Sequence, residues 1–327
     1  MRKSVTAILC ARMTSERLPG KCLEDIGGKP ALRRIAERLA KAESVAEIIV
    51  ATSDEASDDP ICRLAADLGI PCYRGDRMNV NLRMWKALHQ YGSGKPYVFR
   101  AMSDQPFLDW ESLDQAVALM DANKWDFVLP LAFEEEPVYG AGLSPWSYRA
   151  WQGIHSGSTG EENEHVGMWL RRNLDRFQYG LRDLPHWCYR PYRLELDEPD
   201  DLRLIQAIHK GIDGEEPTLR EVIMYLDKHP AQLTINSHVR EKTGPYTSFT
   251  KAEIAAWRND YSGRTIVWSD AAGLIGSIEA AHEADYTCEK CGGNMVALSI
   301  VRGKGDLRTR CIRCGHERMF YSTKPKH

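Results

Sequence analysis

An apolar run, Val5 to Leu9, passes directly into the segment Ala11-Arg-Met-Thr-Ser-Glu-Arg-Leu-Pro-Gly-Lys21, and a helix is predicted to begin near Pro30. Strand, turn-rich loop and helix in that order form the opening unit of a parallel α/β sheet. Three cations, Arg12, Arg17 and Lys21, share the loop with the turn residues Thr14, Ser15, Pro19 and Gly20. Backbone N–H groups and fixed positive charge on such a loop can converge on one polyphosphate. The loop is not a Walker A motif: Cys22 follows Gly20-Lys21 where Ser or Thr is required, and Ser15 stands where the earlier glycine belongs. A basic loop can also be a plain solvated connection, so the remaining chain has to decide.

Strand and helix patterns keep alternating over the first two hundred residues. Helix Pro30 to Lys41 carries Leu32, Ile35, Ala36 and Leu39 as one apolar stripe, and strand Glu47 to Thr52 follows. A helix around Ile61 to Leu68 leads to a short strand, Ile70 to Tyr73, ending at Arg74-Gly75-Asp76. Helix Asn81 to Gln90 precedes strand Pro96 to Ala101, which delivers Ser103-Asp104-Gln105-Pro106 at its C-terminal end. Open α/β sheets place their ligands at that edge, so Asp104 is well placed for chemistry. After Asp201, helix Leu202 to Lys210 closes the core, Gly211 to Pro217 reads as a polar linker, and Thr218 to Val239 as two short helices.

The stretch from Ala7 to Pro30 resembles the nucleotide-binding signature of sugar cytidylyltransferases, both the CMP-Kdo synthetase type and the spore-coat polysaccharide type. Ala11, Arg12, Ser15, Arg17, Leu18, Pro19, Gly20 and Lys21 match it in order, followed by Gly27-Gly-Lys-Pro30. The resemblance covers about residues 4 to 240. It implies a Rossmann-like, GT-A-type nucleotidyltransferase core with a mixed, mainly parallel sheet, and nucleotide contacts from the loop, with Arg12 and Lys21 also catalytic. It further implies that Asp104 binds the catalytic Mg²⁺, with Ser103 in place of the family's glycine. Asp197, in Arg193-Leu-Glu-Leu-Asp-Glu-Pro-Asp-Asp-Leu202, matches the second metal aspartate; read alone it would serve equally as a helix cap ahead of Pro199. Two carboxylates plus substrate phosphate oxygens suit Mg²⁺, which takes oxygen ligands and keeps several waters.

Asn79-Val-Asn-Leu-Arg83 stands where spore-coat relatives carry Asp-Val-Leu-x-Arg, so Arg83 is implied to touch the nucleotide and Asn79 to read the base with an amide in place of a carboxylate. Asn163-Glu-His-Val166 resembles their Arg-Glu-His-Val segment, which implies acceptor contacts from Glu164 and His165 ahead of a helix Gly167 to Asn173. The acidic acceptor strand of the relatives is replaced at Gly142-Leu-Ser-Pro-Trp146 by Ser144 and Pro145, with Glu134 to Glu136 upstream. That departure points to an acceptor other than the usual keto-acid sugar.

A length of 327 residues holds one large core and a second small module. The expected division is a transferase domain at 1–212, a helical extension at 213–284 and a zinc ribbon at 285–327. Within the extension, Thr250 to Trp257 has a capping-box start and Ala271 to Ala284 reads as a further helix. Cys288-x-x-Cys291 and Cys311-x-x-Cys314 lie nineteen residues apart, and the chain between them reads as strand, turn and strand. Four thiolates fill a tetrahedral Zn²⁺ site and leave no open position, so the metal is structural. The other five cysteines, Cys10, Cys22, Cys62, Cys72 and Cys188, sit among apolar neighbours as reduced thiols. A net charge of −3 argues against bulk nucleic-acid binding; the ribbon is read as a structural or protein-interaction module, the alternative being contact with an anionic partner through Arg302, Lys304, Arg308, Arg310 and Arg313.

No apolar run reaches membrane-span length and no signal-peptide pattern precedes the first strand, so the expected compartment is cytoplasmic. The function expected is Mg²⁺-dependent transfer of CMP from CTP to a sugar, sugar acid or other small anionic acceptor, releasing pyrophosphate, by a chain able to dimerise as its relatives do. A degenerate core that binds nucleotide or recruits a partner without turnover is the alternative. A glycosyltransferase would need Asp-x-Asp at the end of the central strand, where this chain has Ser103-Asp104-Gln105.

Overall fold

The computed structural model describes residues 3–130, 137–188, 190, 192–214 and 216–239, together with the backbone of strands at 266–269, 275–277, 295–301, 306–311 and 317–320. Two compact units result: Met1–Val128, Val138–Tyr179 and Arg190–Lys242 in the first, and Leu129–Pro137, Gly180–Tyr189 and Thr243–His327 in the second.

The first unit opens with β1 (Val5–Cys10), buried throughout, then the basic loop, and a small antiparallel pair, β2 (Asp25–Ile26) and β3 (Lys29–Pro30). Helix α1 (Ala31–Lys41) buries Leu32, Ile35, Ala36 and Leu39, the stripe its spacing predicts. Strand β4 (Val45–Ser53) lies parallel to β1, and α2 (Asp59–Asp67) follows with Pro60 in its first turn. Strand β5 occupies Cys72–Gly75, two residues later than its apolar residues suggest. Gly69, at φ 68°, wraps the end of α2 so that the Ile70 N–H is used on the Ala65 carbonyl at 2.9 Å, and Pro71 has no N–H to give.

Helix α3 (Val80–Tyr91) and β6 (Tyr97–Met102) come next, the strand pairing in parallel with β1 on the side away from β4. Helix α4 (Trp110–Asn123) and β7 (Phe127–Pro130) follow, and then β8 (Trp146–Ser147), antiparallel to β6. The central sheet therefore runs β5-β4-β1-β6-β8, mixed and mainly parallel, as expected. Its order reverses at β1, which puts the loop after β1 and the end of β6 at the crevice where doubly wound sheets bind ligands.

Helices α5 (Tyr148–Gly157) and α6 (Met168–Arg172) complete the middle of the unit. Helix α7 spans Pro199–Gly211, starting three residues earlier than its apolar pattern because Pro199 takes the first helical position and Glu198 with Asp201 forms a capping box. Helix α8 (Leu219–Lys228) has its own box, Thr218 with Glu221, and buries Leu219, Val222, Ile223 and Leu226 in the same unit. The linker residue Glu216 pairs with Arg34 and Arg38 of α1 at 2.5 and 3.4 Å, so this connection is anchored.

In the second unit β9 (Tyr179–Asp183) pairs in parallel with β10 (Ile266–Ser269), which pairs antiparallel with β11 (Ile275–Ser277). Strand β11 corrects the helix expected over Ala271 to Ala284: the β-branched Ile275 and the small Gly276 and Ser277 complete a ladder with Val267 to Ser269. A three-stranded antiparallel sheet, β12 (Met295–Val301), β13 (Asp306–Cys311) and β14 (Glu317–Phe320), follows. The helix expected at Thr250 to Trp257, the triplet Glu134 to Glu136 and the cysteines Cys288, Cys291 and Cys314 lie outside the described residues.

Candidate active site

The loop after β1 is held by backbone bonds that follow from its turn residues. Gly20, at φ 76°, donates its N–H to the Met13 carbonyl at 2.9 Å, closing the loop on itself. Ser15 Oγ accepts the Leu18 N–H at 3.4 Å, so the Ser15 hydroxyl serves the turn. From outside, the buried Asp58 carboxylate accepts the Met13 N–H at 2.8 Å and also the Thr52 and Ser53 hydroxyls. Burial alone would raise the Asp58 pKa; the bonds from Ser53, Met13 and Thr52 overcome it and hold the carboxyl below its ordinary range.

Lys21 leaves the loop at the start of a short 3-10 turn, Lys21–Leu23, and its ammonium bridges two carboxylates. Nζ lies 3.0 Å from Asp104 Oδ2 and 2.7 Å from Asp197 Oδ1, with the lysine side chain 12% exposed. Asp104 arrives just past β6, and its carbonyl accepts the Leu196 N–H at 3.0 Å, which lays the 194–197 segment beside it. Arg17 approaches Asp197 Oδ2 at 2.5 Å and Glu198 Oε1 at 3.4 Å, and Arg193 stands 3.6 Å from Asp197 Oδ2. Burial works against the lysine's charge, but Asp104 and Asp197 outweigh it, so the Lys21 pKa is raised. Burial likewise opposes ionisation of Asp197, and Lys21, Arg17 and Arg193 together hold its pKa below the usual carboxylate range.

The helix-cap reading of Asp197 is decided by its neighbours. The Asp201 carboxylate, fully buried, accepts the Glu198 and Asp197 N–H groups at 2.9 and 3.2 Å. It is gripped on its other side by Arg193 and by Asn236 Nδ2. With Glu198 and Asp201 capping α7, the Asp197 carboxylate is left to face the cations.

Tyr139, which no motif marks, donates its hydroxyl to Asp104 Oδ1 at 3.2 Å. Burial, and then the Asp104 charge, push the phenol far above its ordinary pKa, so it remains a donor. Arg193, Glu198 and Asp58 are further contributors without an assigned role in the sequence; for Arg193 the available signal is its place four residues before Asp197.

A second cluster borders the first. Arg12 Nη2 reaches Glu164 Oε1 at 3.4 Å, which joins the loop to the segment matched as acceptor-side. Arg83 is buried, donates to the Asp76 and Arg77 carbonyls at 2.8 and 3.1 Å, and leaves Nε with no hydrogen-bond partner. Its pKa is lowered by burial and, in the same direction, by the charges of Arg12 and Arg100. Arg100, another residue without a motif, donates to the Val166 carbonyl at 3.4 Å. Three guanidinium groups gathered against Coulomb repulsion make a local field suited to a polyanion. His165 lies in the same segment, half-buried, its N–H on the Glu161 carbonyl at 2.9 Å.

Asn79 is placed differently from a base reader with a free carbonyl: its Oδ1 caps α3 by accepting the Leu82 N–H at 2.8 Å. Ser144 is likewise engaged, accepting the Val128 N–H at 3.1 Å and donating to the Pro145 carbonyl. Among the described residues no group of three or more His, Cys, Asp or Glu side chains is arranged to hold a metal by itself. The pair Asp104 and Asp197, converging on one cation, is the set of oxygen donors that the site offers.

Residues 6–145 match the family profile described as cytidylyltransferase. This part of the chain is similar to the cytidylyltransferases. The matched segment contains the loop, Arg83, Asp104 and Tyr139. A spore coat polysaccharide biosynthesis protein of Bacillus subtilis is 29% identical over 239 residues, 69% of this chain and 95% of that protein. A 3-deoxy-manno-octulosonate cytidylyltransferase of Agrobacterium fabrum is 28% identical over 243 residues, covering 69% and 91%. The fold is shared with a solved cytidylyltransferase from Leptospira borgpetersenii, at a TM-score of 0.64 and 24% identity over 71% of this chain and 97% of that one. The family match ends at residue 145, ahead of the C-terminal strands. No described helix of the chain is long and apolar enough to cross a membrane.

Proposed function

We propose that the protein transfers a cytidylyl group from CTP to a hydroxyl of a small sugar acid. The acceptor oxygen bonds to the α-phosphorus, the bond from that phosphorus to the bridging oxygen breaks, and pyrophosphate leaves while the hydroxyl proton passes to solvent. The observation that carries this reading is the Lys21 ammonium shared between Asp104 and Asp197 at 3.0 and 2.7 Å. Two carboxylates fixed on one cation fit a Mg²⁺ ion, which would take Asp104 and Asp197 as ligands together with phosphate oxygens and water. When bound, the ion supplies charge neutralisation at the reacting phosphate.

Lys21 lies where the departing negative charge grows and is kept protonated by its two partners, so it offsets that charge without rearrangement. Arg12, Arg83 and Arg100 supply the surrounding positive field for the triphosphate, and Tyr139 fixes the orientation of Asp104. Arg17, tied to Asp197 and Glu198, holds the second carboxylate in place. Glu164 and His165 are assigned to the acceptor side, next to Arg12. The sugar acid is suggested by the octulosonate enzyme among the similar proteins, and cytosine by the cytidylyltransferase profile matched at residues 6–145.

The C-terminal sheet supports a zinc ribbon. Cys311 ends β13, and Cys314 follows it in sequence at the Cys-x-x-Cys spacing of a zinc knuckle, ahead of β14. Zn²⁺ held by Cys288, Cys291, Cys311 and Cys314 would be structural; metal analysis of the full chain should give one zinc per chain, lost in Cys311→Ser.

The test of the transferase reading is product analysis. The purified chain, Mg²⁺ and each of the four nucleoside triphosphates are incubated with a panel of sugars and sugar acids, and the products are identified by mass. A CMP-sugar acid from CTP is the expected result. Products from another triphosphate would overturn the base assignment, and absence of any nucleotidyl product would overturn the activity.

A further inference from the structure

Two cysteines outside the transferase site touch one another. Cys62, on α2, and Cys72, the first residue of β5, bring their Sγ atoms to 2.8 Å. Both are half-buried, whereas Cys10, Cys22 and Cys188 are buried. Among the described residues, strand β5 is the outer strand of the central sheet, paired on one side, with β4. Its position relative to α2 is fixed at the other end by Arg74, whose guanidinium binds the Asp59 carboxylate and, at 2.7 Å, the Glu55 carbonyl. The two sulfurs are thus held side by side by elements that cannot easily slide apart. A disulfide requires two cysteines close enough to join without backbone movement, and this pair meets that condition.

We propose that Cys62 and Cys72 are a dithiol site that a hydroperoxide oxidises to an intramolecular disulfide, pinning β5 to α2. In the first step the Cys62 thiolate attacks one peroxide oxygen; the O–O bond breaks, Cys62 becomes a sulfenic acid, and the departing oxygen leaves as water after taking a proton. The Cys72 sulfur then attacks the sulfenic sulfur, the S–O bond breaks, and a second water leaves with the Cys72 proton. Two thiols and one hydrogen peroxide yield one disulfide and two waters, the sulfurs losing two electrons to the peroxide. Burial, followed by the adjacent Cys62, pushes the Cys72 thiol up above its ordinary pKa.

The disulfide would bear on the segment after β5. That segment carries Asp76, which accepts the Met78 and Asn79 N–H groups, and the carbonyls of Asp76 and Arg77 that hold Arg83. Oxidation thus tightens a turn from which α3 and Arg83 are positioned, at a distance from the carboxylate pair.

The experiment uses the full chain with its metal content unchanged. Protein is treated with a small excess of hydrogen peroxide, quenched and denatured with N-ethylmaleimide, digested without reduction and mapped by mass spectrometry. A peptide linking Cys62 to Cys72, lighter by two hydrogens than the sum of its thiol forms and absent from untreated protein, is expected. It should form while Cys10, Cys22 and Cys188 remain alkylated. In Cys72→Ser the sulfenic acid should persist on Cys62 and be trapped by dimedone. Wild-type protein should also melt at a higher temperature after oxidation, a shift missing from the Cys62→Ser/Cys72→Ser double variant. Alkylation of both cysteines after treatment, or their linkage to other cysteines instead, would overturn the proposal; the wild-type map decides even where a variant fails to fold.

Discussion

Lys21 and Asp197 stand 176 residues apart in sequence and 2.7 Å apart in space. The contact joins the loop after the first strand to the segment that enters α7, and the same ammonium reaches Asp104 past β6. Replacing Lys21 with methionine leaves two carboxylates facing each other with their shared cation gone. The expected outcome is a fall of about 10²–10³ in kcat/KM for pyrophosphate release, the size of effect seen when a preorganised charge partner of a transition state is removed. A change below tenfold would show that Lys21 only holds the carboxylates.

The Asn79 carbonyl caps α3, so Asn79→Ala should cost about 1 kcal/mol in urea denaturation. Asn79→Asp preserves an acceptor at the same place and should be nearly neutral in stability. Any change in nucleotide preference in the aspartate variant then reports on the base site and not on folding.

Glu216 is 4% exposed and faces Arg34 and Arg38, themselves 4% and 0% exposed. Glu216→Gln leaves two buried guanidinium groups without their carboxylate. Their remaining bonds, from Arg38 to the Leu108 and Pro217 carbonyls and from Arg34 to Gly27, soften the loss. A destabilisation of about 3 kcal/mol by chemical denaturation is expected.

His209 stacks on Phe107 at 5.3 Å and its Nε2 has no hydrogen-bond partner. Burial, then the charges of Arg34 and Arg38, lower its pKa from 6.5 to about 3. Between those values the unfolded chain binds a proton that the folded chain refuses, so stability falls as pH drops through that window. His209→Gln removes this term. The difference in melting temperature between variant and wild type should therefore move in the variant's favour as pH is lowered from about 7 to about 4.5.

Much of the first unit was legible because its strands are apolar runs and its helices keep a single apolar stripe: Val5 to Leu9, Leu32 to Leu39 and Tyr97 to Ala101 all became the elements their patterns imply. The boundaries that slipped did so where turn chemistry overrides hydrophobicity, as at Ile70 and Pro71. The loop cations and both aspartates were legible as an ordered set of residue types. Their partners were not: Arg17 could point to a phosphate or a carboxylate, and only the folded chain shows it on Asp197. Tyr139 lies in an irregular connection with no periodicity or motif to single it out, and Arg100 reads simply as a polar interruption of a strand. Asn79 reads as a base contact because it stands where spore-coat relatives carry an aspartate, but it also stands one residue before α3, where a cap belongs.

Asp104 and Asp197, gathered on Lys21, are the pair on which the proposed cytidylyl transfer depends. The deciding measurement is the steady-state rate of pyrophosphate release from CTP with Mg²⁺ and each member of a panel of sugar acids, for wild type, Asp104→Asn and Asp197→Asn, with folding checked by circular dichroism. The account predicts acceptor-dependent release by the wild type and a loss of at least about 10²-fold in each folded variant. Undiminished release in either folded variant, or the absence of acceptor-dependent release by the wild type, would contradict it.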